Sequence, residues 1–251
     1  MSLLNQDLET LNAGSGYKFS ATKFDKLGAT EYTLASVVTD ASGSVDAFAA
    51  ELTKTLKTIL KACAKSPRKE NLMLRLTQFA NRVTEIHGFK LLGSIKDADY
   101  DNILNIGGST ALFDAMDEAI QATAAYGDQL TKKDFLVNAI IVVVTDGEDN
   151  VSHIQDPTRI KATLESIRKA ESLESIRLIL VGVTQDNVSL NSYLTTVKGS
   201  CGVDQYVSIG SATPGKLAKL AEFVSQSISS TSAALGTGAA STPLNPPQFT
   251  F

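Results

Sequence analysis

Residues 32–44 read YTLASVVTDASGS. The first eight are mostly apolar or β-branched, which suits a strand buried in a sheet. The run stops at Asp40. Ser42, Gly43 and Ser44 follow, residue types that favour turns. The stretch therefore predicts a central strand that runs straight into a loop carrying one carboxylate and two hydroxyls at alternate positions. A second stretch has the same form. Residues 137–145 (VNAIIVVVT) are the strongest hydrophobic strand signal in the chain, and Asp146-Gly147 follows at once.

Outward from these two strands, helical and extended segments alternate. Residues 45–64 keep a helical rhythm through Phe48, Leu52, Leu56, Ile59, Leu60 and Cys63. Residues 72–79 (LMLRLTQF) and 84–92 (TEIHGFKLL) flank a short polar break at Asn81 and Arg82, and predict an antiparallel hairpin at a sheet edge. Residues 93–110 read as a loop with room for a short helix. A helix over 111–126 places Leu112, Met116, Ala119 and Ile120 on one face. Helices over 158–173, 187–198 and 214–229 alternate with strands at 176–183 (IRLILVGV) and 205–209. Pro214 suits the first turn of the last helix. This order predicts a doubly wound α/β fold: a mostly parallel sheet with one antiparallel edge strand, and helices on both faces. The expected organisation is an irregular arm (1–30), one domain (31–230) and a flexible Ser/Ala/Gly/Pro tail (231–251). Phe249 and Phe251 mark the end of the tail as a candidate docking peptide.

Of the 251 residues, 43% are hydrophobic and the net charge is −4. That composition fits an ordinary globular protein with one large core. Mild acidity argues against a nucleic-acid partner, which selects a basic face. The densest cationic cluster, Lys57, Lys61, Lys65, Arg68 and Lys69, reads as a solvated helix end. Cys63 and Cys201 lie far apart among small or apolar residues, so they read as buried thiols of a reducing compartment. The first twenty residues show neither a basic nor an apolar signal region. No apolar run approaches the roughly 18 residues of a membrane span. The expectation is a cytoplasmic protein without a membrane partner.

In open parallel sheets, ligands bind beyond the carboxyl ends of the strands. Asp40, Ser42 and Ser44 are predicted there. Hard oxygen donors of this kind suit Mg²⁺, Mn²⁺ or Ca²⁺ rather than zinc. Taken alone the pattern is weak, because Asp and Ser also cap helices. Its position strengthens it. Gly107-Gly108-Ser109-Thr110 precedes a helix, and Asp146 follows the most hydrophobic strand, so both should reach the same crevice.

These three loops, in this order, resemble the metal-ion-dependent adhesion site of von Willebrand factor A domains. The segment GGSTALFDAM also matches that family's Gly-rich threonine loop and the helix after it. The resemblance spans residues 31–230. It implies a bound Mg²⁺, or Mn²⁺ or Ca²⁺, with Ser42 and Ser44 as direct ligands. It further implies that Thr110 binds directly when a ligand is engaged and through water otherwise. Asp40 and Asp146 would act through water and as acceptors for the serine hydroxyls. The implied function is a binding module, not an enzyme, whose protein partner offers a Glu or Asp to the metal.

Two alternatives stay open. One is a structural component of a larger phage-like or contractile particle. The other is a metal-dependent phosphohydrolase. Against the second, Ser42 stands where a second acidic residue would be needed, and neither Gly-rich phosphate motif is present. There are two histidines. His87 falls in a strand-like run and His153 in a polar loop near the cleft. Glu148, Asp149 and Asp156 add negative charge beside the site, either enriching cations or forming a solvated loop. Phe48, Phe79 and Phe113 fall at core positions.

Overall fold

The computed structural model describes residues 7–14, 16–237 and 244. An N-terminal hairpin, β1 (Leu8–Asn12) and β2 (Lys18–Thr22), comes first. Then β3 (Glu31–Asp40) leads through α1 (Ala49–Cys63) to β4 (Leu72–Phe79) and β5 (Val83–Leu91). The chain continues with α2 (Leu112–Thr131), β6 (Leu136–Thr145) and α3 (Thr158–Ala170). It ends with β7 (Ser175–Val183), α4 (Val188–Cys201), β8 (Gln205–Ile209) and α5 (Pro214–Ala234).

The strands form one sheet in the order β1-β2-β5-β4-β3-β6-β7-β8. β3 pairs in parallel with both β4 and β6. From β3 the chain first winds to β4, then returns to β6 and on to β7 and β8. The winding direction therefore reverses between β3 and β6. At such a reversal the connections leave to opposite sides, and a crevice opens at the carboxyl ends of the two strands.

Successive side chains of a strand point to opposite faces, so a central strand must be apolar on both. In β6, Ala139, Ile141 and Val143 enter one core with α2, α3 and α4. Ile140, Val142 and Val144 enter the other with α1 and α5. β3 does the same through Leu34 and Val38 on one side, Ala35 and Val37 on the other. Phe48, Phe79 and Phe113 are buried in these cores as expected.

Three expectations need correction. First, the antiparallel strand β5 is not the edge: β2 pairs beyond it and β1 lies outermost. The arm read as irregular thus contains a hairpin that extends the sheet. Its strands are too short and polar to show a strong local signal; tertiary contacts hold them. Phe19 and Ala21 join the core beside Phe89 and Tyr126. Thr22 Oγ1 donates to Phe89 O (2.9 Å), and Tyr126 Oη donates to Thr22 O (2.7 Å). Second, β4, expected with β5 at the sheet edge, lies inside the sheet and is buried along its whole length. Third, α5 continues through residues 231–234, into the segment expected to be a flexible tail. Thr231 and Ser232 are buried there, and Asn138 Nδ2 donates to Thr231 O (2.6 Å). Leu244 packs against the α1–α5 core, and its carbonyl accepts from Gln205 Nε2 (2.7 Å). Phe249 and Phe251 lie outside the described residues.

The cationic cluster is tied down by local pairing. Lys57 pairs with Asp101, Lys61 with Asp97 (3.2 Å) and Arg68 with Glu31. Cys63 and Cys201 are free, buried thiols, pushed up to about 12 chiefly by that burial. Among the described residues, no helix is long and apolar enough to cross a membrane.

Candidate functional site

Three loops meet at the carboxyl ends of β3 and β6, and backbone hydrogen bonds clamp them together. Gly107 N donates to Ala41 O (2.9 Å), and Gly43 N donates to Gly108 O (3.1 Å). Ala41 N donates to Phe79 O (2.8 Å), while Ala111 N donates to Ala80 O (2.8 Å). Gly107 and Gly108 adopt φ of 145° and 85°, which other residues reach only with strain. The backbone can therefore double back between Asn105 and Thr110 and lie flat against the β3 loop.

Within this frame the predicted side chains converge. Asp40 Oδ1 accepts from Ser42 N (2.8 Å), and Asp40 Oδ2 accepts from Thr145 Oγ1 (2.6 Å). Ser42 Oγ and Ser44 Oγ are 3.1 Å apart. Ser44 Oγ donates to Asp146 Oδ1 (2.8 Å). The other carboxylate oxygen, Asp146 Oδ2, is buried and has no hydrogen-bond partner. Thr110 reaches the same place from the other side: a Cβ built on Gly147 would lie 3.2 Å from its Oγ1. Asp40, Ser42, Ser44 and Asp146 thus form one hydrogen-bonded group, and Thr110 sits beside it, next to Gly147.

Capping does not explain them. Ser42 precedes the short helical turn Gly43–Phe48, yet its side chain makes no capping bond there. Thr110 is not the cap of α2 either; that position is Ala111, and it too makes no side-chain capping bond. The free amides of α2 are met from elsewhere. Asp149 Oδ1 accepts from Phe113 N (3.2 Å), and Ser152 Oγ accepts from Asp114 N (3.1 Å). Asn150 Oδ1 accepts from Thr110 N (2.8 Å). Asp149 is thus a helix-binding residue rather than free charge beside the cleft. Asp156 similarly accepts from Thr158 N (3.0 Å) at the start of α3. Glu148 is exposed.

Electrostatically the cleft is short of positive charge. Burial pushes the Asp40 carboxyl above its ordinary range, against the hydrogen bonds from Thr145 and Ser42. Burial, and then the charge of Asp40, push Asp146 up to about 6. Among the described residues, no Lys, Arg or His pairs with either carboxylate. Nor do three or more His, Cys, Asp or Glu side chains gather as a metal cluster. The donors here are two carboxylates and three hydroxyls, an oxygen-only and mostly neutral set. An orphaned buried carboxylate oxygen beside two aligned hydroxyls fits a hard divalent cation, which would relieve the repulsion between Asp40 and Asp146.

Neither histidine belongs to the cleft. His87 is buried with Nδ1 2.9 Å from Gly88 O and Nε2 2.9 Å from Tyr100 Oη. His153 Nδ1 sits 2.8 Å from Asp114 Oδ2. Three supporting residues are not apparent from sequence. Thr145 orients Asp40, Asn150 holds the Thr110 backbone, and Asn81 Oδ1 accepts from Ser109 N (2.7 Å). Thr145 carries the one usable signal, a hydroxyl at a strand end directly before Asp146. The two asparagines look like ordinary turn residues.

A doubly wound sheet with such a cleft at its reversal point defines a class: open α/β domains that bind at the carboxyl edge. Within that class, the family model for the von Willebrand factor type A domain matches residues 36–222, and this chain belongs to that family. No curated protein matches it in sequence. Among solved structures, it is similar to the PilB minor pilin from Streptococcus sanguinis (TM-score 0.56, 18% identity, 85% of this chain and 65% of that one). It is also similar to proximal thread matrix protein 1 from the mussel byssus with a zinc-occupied MIDAS motif (TM-score 0.50, 18% identity, 80% and 46%). A third is the pilus adhesin SpaC from Lactobacillus rhamnosus GG (TM-score 0.55, 12% identity, 85% and 31%). The chain therefore spans less than two thirds of the length of each of these structures. At these identities the likeness is one of fold.

Proposed function

We propose that the cleft holds a hard divalent cation, Mg²⁺ or else Mn²⁺ or Ca²⁺, and uses it to grip a Glu or Asp of a partner protein. The observation that carries this reading is the hydrogen-bonded run Ser42–Ser44–Asp146, which ends in the buried, unpartnered Oδ2 of Asp146. Ser42, Ser44 and Thr110 would offer hydroxyl oxygens. Asp146 turns the Ser44 hydroxyl so that its lone pairs face the cleft. Asp40 is itself held by Thr145 and Ser42 N, so it adds negative charge without moving. When bound, the cation supplies a strong Lewis acid, which a mostly neutral donor set leaves hungry for an outside carboxylate. Family membership supports a protein-interaction module, as does the likeness in fold to a pilus adhesin and a matrix protein. Binding is favoured over phosphoester hydrolysis because Ser42 stands where a phosphohydrolase would need a second acidic residue.

Isothermal titration with Mg²⁺ and Mn²⁺ tests the reading. Asp40→Ala and Asp146→Ala should each abolish cation binding while circular dichroism keeps the native signature. Unchanged binding in either variant would overturn the assignment.

A further inference from the structure

Among the described residues, three large apolar side chains are exposed: Leu136 (49%), Val151 (39%) and Val188 (82%). Val151 sits on the loop that follows β6, and Val188 is the first residue of α4, just after the β7 loop; both lie beyond the carboxyl ends of the strands, as do Ser42 and Asp146. Leu136 lies at the opposite end, at the start of β6.

The loop that leads into Val188 keeps it outside. Gln185 and Asp186 are consecutive non-glycine residues with φ of 47° and 62°, a conformation that L-residues rarely adopt. Surrounding bonds impose it. Thr184 N donates to Ile209 O (2.8 Å), Asp186 N to Gly210 O (3.1 Å) and Asn187 N to Thr184 O (2.8 Å). Asn187 Oδ1 then caps α4, accepting from Ser189 N (2.9 Å) and Leu190 N (3.1 Å). Leu190 and Leu194 take the core face of α4, and Val188 is left standing in water. The Val151 loop is fastened to this body and to the cleft alike. Asp149 N donates to Tyr193 Oη of α4 (3.1 Å), and Asn150 N donates to Thr110 O (3.0 Å).

We infer that the partner segment pairs its acidic residue with a nearby apolar side chain, which packs on Val188 and Val151. This rests on the cation-dependent reading of the cleft. Strand spacing of about 4.8 Å puts the carboxyl end of β7 roughly 10 Å from that of β3, two strands away. That distance is the span of about three extended residues. An extended partner strand with an acid and an aliphatic or aromatic residue about three positions apart meets both features at once. The hydrogen-bonded loop and the capped start of α4 hold Val188 in one place, so little ordering is lost on contact.

The probe is a displayed peptide library with a fixed central Glu or Asp and random flanks, panned on the immobilised full chain in Mg²⁺. The expected result is enrichment of an apolar residue at one offset from the acid. Peptides so selected should bind Val188→Ser about tenfold more weakly. Val188→Ser should keep wild-type Mg²⁺ titration, and Leu136→Ser should leave peptide affinity unchanged. Acid-dependent enrichment without an apolar preference overturns this inference and leaves the cation reading intact, as does equal affinity for Val188→Ser. Absence of any Mg²⁺- and acid-dependent enrichment overturns both.

Discussion

Arg75 has the largest fully buried side chain among the described residues, and it lies in the middle of β4. Its guanidinium survives burial because every edge is met. Nε donates to Glu85 Oε2 (3.0 Å), and the two terminal nitrogens donate to Glu118 at 3.0 and 2.6 Å. Arg75→Met would leave the Glu118 carboxylate buried without its cation. Denaturant unfolding should show a loss of about 3–5 kcal/mol, the usual cost of breaking one side of a buried ion pair. An unfolding midpoint within error of wild type would contradict this. Elsewhere on the sheet, His87 makes stability depend on pH. Gly88 O can only accept, so Nδ1 carries the proton and the neutral ring accepts from Tyr100 through Nε2. Burial lowers its pKa from 6.5 to about 4, helped by Lys90 and Arg75 and opposed by the Gly88 bond and Asp99. The unfolded chain therefore takes up the proton first. Its contribution to stability is constant above pH 6.5 and falls as pH drops toward 4, by up to about 3 kcal/mol. In His87→Gln the unfolding free energy should change less between pH 7 and pH 4.5; an unaltered profile would refute the assignment. Nothing in the one-dimensional pattern announced Arg75 as buried, since a lone Arg in a strand normally marks a solvent face. The packed reading of His87 follows from its place in an extended run.

At the scale of elements, the β1–β2 hairpin is the part that the local pattern concealed. Leu8–Asn12 and Lys18–Thr22 are five residues each and carry polar side chains in the run. They hold their place through a close approach at Gly88, where an added Cβ would collide with the Ser20 backbone. Glu85 fastens the same spot by accepting from Ser20 N (3.0 Å) while it pairs with Arg75. Gly88→Ala should therefore lift the hairpin and cost about 1–3 kcal/mol. Hydrogen exchange should show protection lost over residues 8–12 and 18–22 and retained in β3 and β6. Loss spread evenly over the sheet would argue against a separable hairpin. By contrast β4 and β8 were legible to the residue, and β3, β6 and β7 to within one or two. Their apolar runs are long enough to outweigh neighbours. Helix ends were less legible: α2 and α5 run further than their amphipathic pattern, because packing rather than propensity decides where they stop.

Taken whole, the molecule should be more stable with its cation than without. A cation that binds only the folded cleft stabilises by RT ln(1 + [L]/Kd), about 2.7 kcal/mol at one hundred times Kd. For a domain of this size that corresponds to a rise in Tm of roughly 5–10 °C. Scanning calorimetry should find this rise in saturating Mg²⁺, reversed by chelator and absent in Asp146→Ala. Equal midpoints with and without Mg²⁺ would count against a folded-state cation. The amino-acid sequence by itself determined the order of strands and helices from β3 to α5, and it singled out the five oxygen-bearing residues proposed to hold a cation. Both are local: apolar periodicity sets the elements, and strand ends set which residues fall in loops. Tertiary structure alone decided that the arm pairs beyond β5, that Arg75 sits between two carboxylates, and that Ser44 reaches Asp146 across 102 positions of chain. Such contacts join residues that are distant in sequence, so no local pattern of side chains encodes them; they form only when the sheet closes and the backbone brings the loops together.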